Sequence, residues 1–195
     1  WGYVWIAGKL RHGYWQNAFL AAVVTLQAVI TFNSAPYYLS HYNLLAGGNK
    51  TAAKTLLVGW GEGLDQAARY LNTIPDAETI RVSSWYHSAF EPYFLGQAVE
   101  SAGNEKISRS AKPALVSSYV VLYINQIQRL MPTPGMIQYF QSFRPEYVIT
   151  IDGIDYAFIY PSPAIKHAFS GEVRLVGQAE LLGYDLLDTG GQSMT

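Results

Sequence analysis

The chain has 195 residues, which is enough for about one domain with a sizeable core. Half of its residues are hydrophobic and only 14% are charged, so an intrinsically disordered chain is excluded. The net charge of -1 provides no basic surface for nucleic acid, and the absence of cysteine excludes disulfides, a thiolate nucleophile and cysteine-ligated metals. Because the first residue is Trp1 rather than Met, we expect part of a longer chain or a processed product.

The most apolar part of the chain lies near its N-terminus. No Asp, Glu, Lys or Arg occurs between Arg11 and Lys50, and residues 18–32 are apolar apart from two threonines and one glutamine. With its flanking aromatic residues, this pattern predicts a transmembrane helix over residues 14–36 that Pro36 ends. A buried core helix of a soluble protein is the alternative, because the strictly apolar stretch is short for a membrane span.

The charges around this helix predict its orientation. Lys9 and Arg11 precede the helix, so the positive-inside rule places them in the cytoplasm and everything after Pro36 on the extracytoplasmic side. Residues 1–13 are then predicted to be the end of a preceding span and a basic cytoplasmic loop. A cleaved signal peptide is the less favoured alternative, since residues 33–38 offer a weak cleavage site.

After the helix, the sequence predicts a mixed α/β layer domain over residues 37–160. A short apolar run at 56–59 leads into a glycine-rich turn, and the apolar spacing over 64–71 predicts an amphipathic helix. Further elements are indicated by periodicity and turn signals: strands over 79–85, 119–124, 146–151 and 154–160, and a helix over 134–143. The last two strands flank Asp152-Gly153, a strong hairpin signal.

The C-terminal part of the sequence is punctuated by proline and glycine. Residues 161–171 are predicted to be a linker, and 172–195 to begin a further β unit. The predicted fold class is therefore α/β, with an N-terminal transmembrane helix, an extracytoplasmic mixed α/β layer domain and the start of a β unit.

The glycine-rich turn at residues 59–63, GWGEG, is the first candidate binding feature. Its spacing matches neither nucleotide fingerprint, and Glu62 would repel a phosphate at a helix N-terminus. One interpretation is a structural turn from a strand into a helix, with glycines that allow close packing. The other is a binding loop in which Trp60 stacks on a sugar or lipid headgroup and Glu62 or Asp65 accepts hydroxyl hydrogen bonds.

A second aromatic cluster, Trp85-Tyr86-His87, follows the predicted strand 79–85. Ends of strands in α/β folds commonly hold ligands, although solvent-facing or membrane-facing aromatic residues are the alternative interpretation. The four histidines of the chain are scattered without helical spacing, so the sequence predicts no metal site and no cofactor. No G-x-S-x-G motif is present, and Ser, His and Asp are too common in the sequence to predict a catalytic triad without geometry.

Several segments together resemble one family of membrane enzymes. The stretches PYYLSHYNLLAGG after the apolar helix and VGWGEGLDQAARYLN in the domain carry the resemblance. It continues in YVVLYINQIQR, in PEYVITIDGIDYAFIY and in LGYDL near the end. Between about residues 14 and 187, the chain resembles the C-terminal part of bacterial membrane glycosyltransferases of the dolichyl-phosphate-mannose protein mannosyltransferase type.

This resemblance implies an enzyme that transfers a sugar from a lipid-phosphate-linked donor to an extracytoplasmic acceptor. The family's catalytic acid lies in the first external loop, so no residue of this chain inherits a catalytic role. The resemblance implies an external domain that assists binding of the acceptor or of the donor headgroup. Its expected partners are membrane lipid and other transmembrane helices. The candidate contact residues are Trp60, Glu62, Asp65, Trp85, Tyr86 and His87.

A second class of function stays open at this point. A non-catalytic, membrane-anchored accessory subunit would pack its helix against a larger membrane complex and use the domain as an external cap. Whether the chain is part of an enzyme is therefore left open by the sequence.

Overall fold

Short helices separate most of the strands of this chain. The computed structural model describes residues 13–43, 47–101, 112–163, 167–174 and 180–184. The helices in chain order are α1 (Gly13–Asn33), α2 (Gly48–Thr55), α3 (Leu64–Leu71), α4 (His87–Phe90), α5 (Lys112–Leu115), α6 (Ile124–Arg129) and α7 (Pro134–Gln141). The strands are β1 (Arg81–Ser84), β2 (Gln97–Glu100), β3 (Tyr119–Tyr123), β4 (Tyr147–Ile151), β5 (Ile154–Pro161), β6 (His167–Arg174) and β7 (Glu180–Tyr184).

The first helix, α1, is long, apolar and exposed. It has 21 residues, none of them buried, and its length and composition are sufficient to cross a membrane. The helix ends in a final turn, in which the N–H of Ser34 donates to the carbonyl of Ile30 and the N–H of Ala35 donates to the carbonyl of Phe32. The predicted apolar helix is confirmed, although it ends at Asn33 rather than at residue 36. No residue of α1 is buried in the described part of the chain, which does not fit the alternative of a buried core helix.

Five strands form one mixed sheet in the order β2-β1-β3-β5-β4. The first three strands of this order are parallel, and β5 runs antiparallel to both β3 and β4. Ser84 at the end of β1 lies opposite Val121, and Tyr123 at the end of β3 lies opposite Ala157 near the start of β5. The carboxyl ends of β1 and β3 therefore meet the amino end of β5 at one edge of the sheet. Strands β6 and β7 form a separate antiparallel pair.

Helices cover both faces of the five-stranded sheet. Val121 and Tyr123 pack into a core cluster with α3 and α4, whereas Val120 and Leu122 pack into a second cluster with α5 and α7. Alternate side chains of a strand point to opposite faces, so β3 is buried on both sides. This confirms the interpretation of the apolar run at 119–124 as a doubly buried strand.

The segment that follows α1 packs against the sheet domain through hydrogen bonds, and we call residues 37–43 the docking segment. The hydroxyl of Tyr37 contacts α3, and Oγ of Ser40 donates to Oδ2 of Asp152 in the β4–β5 turn at 3.0 Å. The side chain of Asn49 in α2 links the docking segment to the β4–β5 turn. Its Oδ1 accepts a hydrogen bond from the N–H of Tyr42 at 2.9 Å. Its Nδ2 donates to the Asp152 carbonyl at 2.7 Å.

Most of the predicted elements of the domain are present. The helix at 64–71 is α3, and all four of its predicted core positions are fully buried. The predicted strands correspond to β1, β3, β4 and β5, the predicted hairpin turns at Asp152-Gly153, and the helix at 134–143 corresponds to α7. The coarse prediction of an apolar N-terminal helix and a mixed α/β sheet domain is confirmed.

Two predictions about connections are wrong. No strand precedes the glycine-rich turn, because residues 56–59 are irregular and bond to a side chain of α6 rather than to the sheet. The linker predicted over 161–171 is mostly strand, since β5 extends to Pro161 and β6 begins at His167. The predicted span end and cytoplasmic loop at residues 1–12 lie outside the described residues, as does the chain end from residue 185.

Candidate functional site at the carboxyl end of the parallel strands

The glycine-rich turn lies over the carboxyl end of β3. Gly59, Gly61 and Gly63 all have positive φ angles, of 93, 118 and 79 degrees. A Cβ atom on Gly59 would lie 2.7 Å from the ring of Tyr123, and one on Gly63 would lie 2.9 Å from the side chain of Ile149. The part of the structural interpretation that concerns packing is thus confirmed, because these glycines allow the loop to approach the sheet closely.

Tyr123 connects the end of β3 to this loop. Its Oη accepts a 2.9 Å hydrogen bond from the N–H of Gly61 and lies 3.1 Å from Oε2 of Glu62, to which it donates. The same carboxylate oxygen accepts from the N–H of Trp60 at 2.6 Å. Glu62 is therefore turned back over its own loop, where it is half-buried, and it holds the loop and the strand end in one arrangement.

More tyrosines surround the Tyr123 ring. Tyr86 packs against it edge to face with ring centres 5.5 Å apart, and Tyr156 of β5 lies at 6.3 Å. Burial raises the pKa of Tyr123 far above its usual range, and the charge of Glu62 raises it further. Burial likewise raises the pKa of Tyr156, as do Tyr42 of the docking segment and Glu62. These phenols are neutral hydrogen-bonding groups at neutral pH rather than bases.

Buried polar groups without partners collect at this same end of the sheet. In the part of the chain that the structure describes, four buried side-chain atoms make no hydrogen bond: Oγ of Ser84, Oδ1 of Asn125, Nε2 of Gln126 and Oη of Tyr156. Ser84 ends β1, Asn125 and Gln126 begin α6 directly after β3, and Tyr156 lies near the start of β5. Tyr156 also faces Tyr42, but their contact falls outside hydrogen-bond geometry. Unpaired buried polar atoms are costly, so their concentration at this end of the sheet makes it the candidate functional site.

The structure brings part of the predicted site together. Glu62 and Tyr86 both contact Tyr123, and Trp85 packs edge to face on Tyr86 at 6.4 Å. Trp60 belongs to the same loop and is 74% exposed. The ring of Trp60 is therefore accessible to a ligand that binds beside the glycine-rich turn.

The remaining two predicted residues are placed differently. Asp65 points to the docking segment and to its own helix, because it accepts from Tyr37 and pairs with Arg69 at 3.1 Å. His87 begins α4 and is half-buried beside the aromatic cluster. The ligand-binding roles of all six residues stay predictions.

Sequence reasoning missed the buried members of this site. Tyr123, Asn125 and Tyr156 lie in stretches that appeared to be ordinary core strands and their ends. One signal was available, since the apolar run at 119–124 contains Tyr123 near its end and is followed directly by Asn125, which places polar groups at a strand terminus. The pairing of Tyr123 with Glu62 depends on a contact 61 residues apart in sequence, which no local pattern reveals.

Two surface grooves lie elsewhere on the domain. One, of about 340 Å³, has Lys50 and Lys54 of α2 at its rim and an apolar wall that includes Ile127 and Phe158. The other, of about 460 Å³, lies between the end of α7 and the residues that follow β5. In the described part of the chain, no three carboxylate or histidine side chains group to hold a metal ion.

Comparison of the chain with protein-family models, curated proteins and solved structures finds no match. The resemblance to membrane glycosyltransferases therefore rests on the residues quoted for it. The geometry at the carboxyl end of β1 and β3 is the physical basis for a functional proposal.

Proposed function

We propose that this chain is the C-terminal membrane anchor and extracytoplasmic domain of a lipid-linked-sugar glycosyltransferase. In this proposal, the carboxyl end of β1 and β3 binds a sugar of the acceptor or of the donor headgroup. The observation that carries the proposal is the set of unpaired, buried polar atoms at this edge, beside the Glu62–Tyr123 pair. Ligands of α/β folds commonly bind outside the carboxyl ends of parallel strands.

The chemistry of this edge suits a sugar better than an anion. Sugar hydroxyls both donate and accept, so they match the unpaired groups of this edge, which include the Ser84 hydroxyl and the Asn125 amide oxygen and are covered until a ligand enters. Glu62 would repel a phosphate but accepts bonds from hydroxyls. The exposed ring of Trp60 provides a flat apolar surface on which the C–H face of a sugar packs.

The membrane part of the proposal is supported by α1 and by the charges around it. The helix is 21 residues long, apolar and without buried residues, which favours a lipid environment. Lys9 and Arg11 precede it, and no Asp, Glu, Lys or Arg follows until Lys50. By the positive-inside rule, this asymmetry favours an extracytoplasmic position for the sheet domain.

Within the proposed enzyme, this domain binds rather than catalyses. The resemblance places the catalytic acid in the first external loop, and no residue of this chain is assigned to it. The tyrosines of the edge are neutral at physiological pH and supply hydrogen bonds. Glycosyl transfer from a lipid phosphate would thus take place on other parts of the enzyme, with the sugar held by this edge.

The proposal is tested by sugar binding to the chain in lipid nanodiscs. Saturation-transfer NMR would measure contact with methyl glycosides of mannose, glucose, galactose and N-acetylglucosamine, and with a polyprenyl-phosphate-linked mannose. We expect Trp60→Ala and Glu62→Gln to weaken the signal severalfold. Leu95→Ala, an exposed apolar substitution before β2, is the matched control and should leave the signal unchanged. Absence of contact with every sugar, or contact that both site variants leave unchanged, would overturn the proposal.

A further inference from the structure

The docking segment keeps the sheet domain close to the end of α1. A 21-residue helix is about 32 Å long, which matches the hydrocarbon thickness of about 30 Å. Tyr37, which is hydrogen-bonded to α3, lies four residues beyond Asn33. Four residues reach at most about 14 Å, while each headgroup layer is about 5–8 Å thick. If α1 crosses the bilayer, the face of the domain beside Tyr37 therefore lies in the headgroup layer or within about 9 Å of it.

Large apolar side chains are exposed on that end of the domain. They come from three segments near the carboxyl ends of β1 and β3: the docking segment, the link between α2 and α3, and the glycine-rich turn. We call this set the interface surface, and its members are Tyr38, Leu39, Leu56, Leu57 and Trp60. Each of them exposes more than half of its area, which is unfavourable in water and favourable at a bilayer interface.

Internal contacts hold the three segments in place beneath their exposed side chains. Tyr37 and Ser40 bond to α3 and to the β4–β5 turn, so Tyr38 and Leu39 between them project from a fixed backbone. Gln128 of α6 donates to the carbonyl of Leu56 at 2.9 Å. The interface surface is thus presented by a fixed scaffold.

The charge of this region also suits lipid headgroups. Residues 36–61 contain Lys50 and Lys54 and no Asp or Glu. Both lysines are exposed on α2, and neither forms an ion pair among the described residues. Exposed lysine and aromatic side chains favour contact with phosphate headgroups, although the carboxylates of Glu62 and Asp152 lie beside this surface.

From the tether length, the apolar exposure and the charge, we infer that the interface surface lies in the headgroup layer of the bilayer that α1 crosses. The candidate sugar site, which shares Trp60 and the glycine-rich turn, then opens at the membrane surface. A headgroup of a lipid-linked sugar would reach it there without leaving the bilayer. The inference rests on the membrane anchoring in the proposed function, and it does not depend on sugar binding.

The absence of cysteine allows a direct test with single-cysteine variants of the full chain. Leu57→Cys and Leu39→Cys would report on the interface surface, and Val24→Cys on the middle of α1. Leu95→Cys is the matched control, because Leu95 is 62% exposed and precedes β2 at the opposite end of the sheet. Each variant would carry an environment-sensitive fluorophore and be placed in vesicles of phosphatidylcholine and phosphatidylglycerol. The fluorescence would be quenched by lipids that carry a nitroxide either near the headgroup, the shallow nitroxide, or near the end of the acyl chain, the deep nitroxide.

We expect the shallow nitroxide to quench the labels at residues 39 and 57 severalfold more than the label at residue 95. The deep nitroxide should quench the label at residue 24 most. If residue 24 is in lipid but residues 39 and 57 are quenched no more than residue 95, the inference is wrong and the anchor stands. If residue 24 is not in lipid, the membrane anchor in the proposed function and the inference about the interface surface are both wrong. Sugar binding in nanodiscs is measured independently of either result.

Discussion

The hydroxyl of Tyr37 donates a 2.7 Å hydrogen bond to Oδ1 of Asp65 and so joins the first residue of the docking segment to α3. The same hydroxyl accepts a 3.0 Å bond from Nε2 of Gln66. Burial and the Asp65 carboxylate both raise the pKa of Tyr37, so the phenol stays a donor at neutral pH. This contact fixes how the apolar helix leads into the sheet domain.

We expect Tyr37→Phe to loosen this connection. The change removes both bonds of the phenol and leaves Asp65 paired with Arg69 alone. Loss of such a part-buried hydrogen-bond pair should lower the free energy of unfolding by about 1–2 kcal/mol. Amide hydrogen exchange over residues 38–42, measured in nanodiscs by mass spectrometry, should accelerate severalfold.

The neighbouring residue provides the control for this prediction. The side chain of Tyr38 is exposed and makes no hydrogen bond among the described residues, so Tyr38→Phe should change neither stability nor exchange. Equal exchange rates for Tyr37→Phe and Tyr38→Phe would show that the docking segment is held by other contacts.

The close packing of Gly59 makes a second prediction. In Gly59→Ala the new Cβ would meet the Tyr123 ring at 2.7 Å while the backbone keeps a φ of 93 degrees. Overpacking and backbone strain together should cost about 2–4 kcal/mol, measured as chemical unfolding of the chain in nanodiscs.

Gly135 is the matched position for this substitution. It lies in α7 with no heavy atom within 4 Å of an added Cβ. Gly135→Ala should therefore leave stability unchanged or raise it by up to about 1 kcal/mol, since alanine favours a helix. A Gly59→Ala chain as stable as Gly135→Ala would mean that the loop does not pack on Tyr123 as described.

The raised pKa values of the buried tyrosines predict a loss of stability in alkali. An unfolded tyrosine ionises at a pH of about 10, whereas burial holds folded Tyr123 and Tyr156 neutral to higher pH. Between these limits the folded chain binds more protons than the unfolded one, so stability falls as pH rises. Below pH of about 10 their contribution is fully present.

Thermal unfolding between neutral pH and pH of about 11 would measure this dependence. Tyr123→Phe should lower stability at neutral pH, because the bonds to Gly61 and Glu62 are lost, and should make the alkaline decline shallower. An alkaline slope identical to that of the unchanged chain would contradict the assignment of Tyr123 as a buried, neutral phenol.

The elements that the sequence predicts correctly are those with a local signal. The apolar face of α3 repeats with helical spacing, and the Asp152-Gly153 turn has residues that tolerate the positive φ angles of 50 and 77 degrees found there. β3 is identified by its continuous apolar run. In each case the residues that define the element lie within a few positions of one another.

The parts that could not be predicted depend on distant partners. Residues 56–58 are apolar, yet they bond to Gln128, 70 residues away from Val58, and so do not form a strand. Asp65 has the residue type of a sugar ligand, but the docking segment occupies its carboxylate. The buried polar atoms of the site come from β1, α6 and β5, which only the sheet order brings together.

Gln128 itself carries the last prediction. Its Nε2 donates to the carbonyls of Ala53 and Leu56, both at 2.9 Å, and its Oε1 accepts from the N–H of Val58 at 3.1 Å. Gln128→Met keeps the side-chain length but removes all three bonds that hold the approach to the glycine-rich turn. We expect a loss of about 1–3 kcal/mol of stability. Amide exchange at Val58 should accelerate severalfold, measured by NMR.

The same variant separates support of the loop from direct ligand contact. Because Gln128 supports the loop from below, Gln128→Met should weaken sugar contact at Trp60 without changing any group proposed to touch the sugar. Gln138→Met is the control, since Gln138 is exposed on α7, and it should leave both exchange and sugar contact unchanged. Unchanged amide exchange at Val58 in Gln128→Met would show that the loop keeps its position without this side chain. The contacts of Tyr123 with Gly61 and Glu62 would then be sufficient to hold the loop.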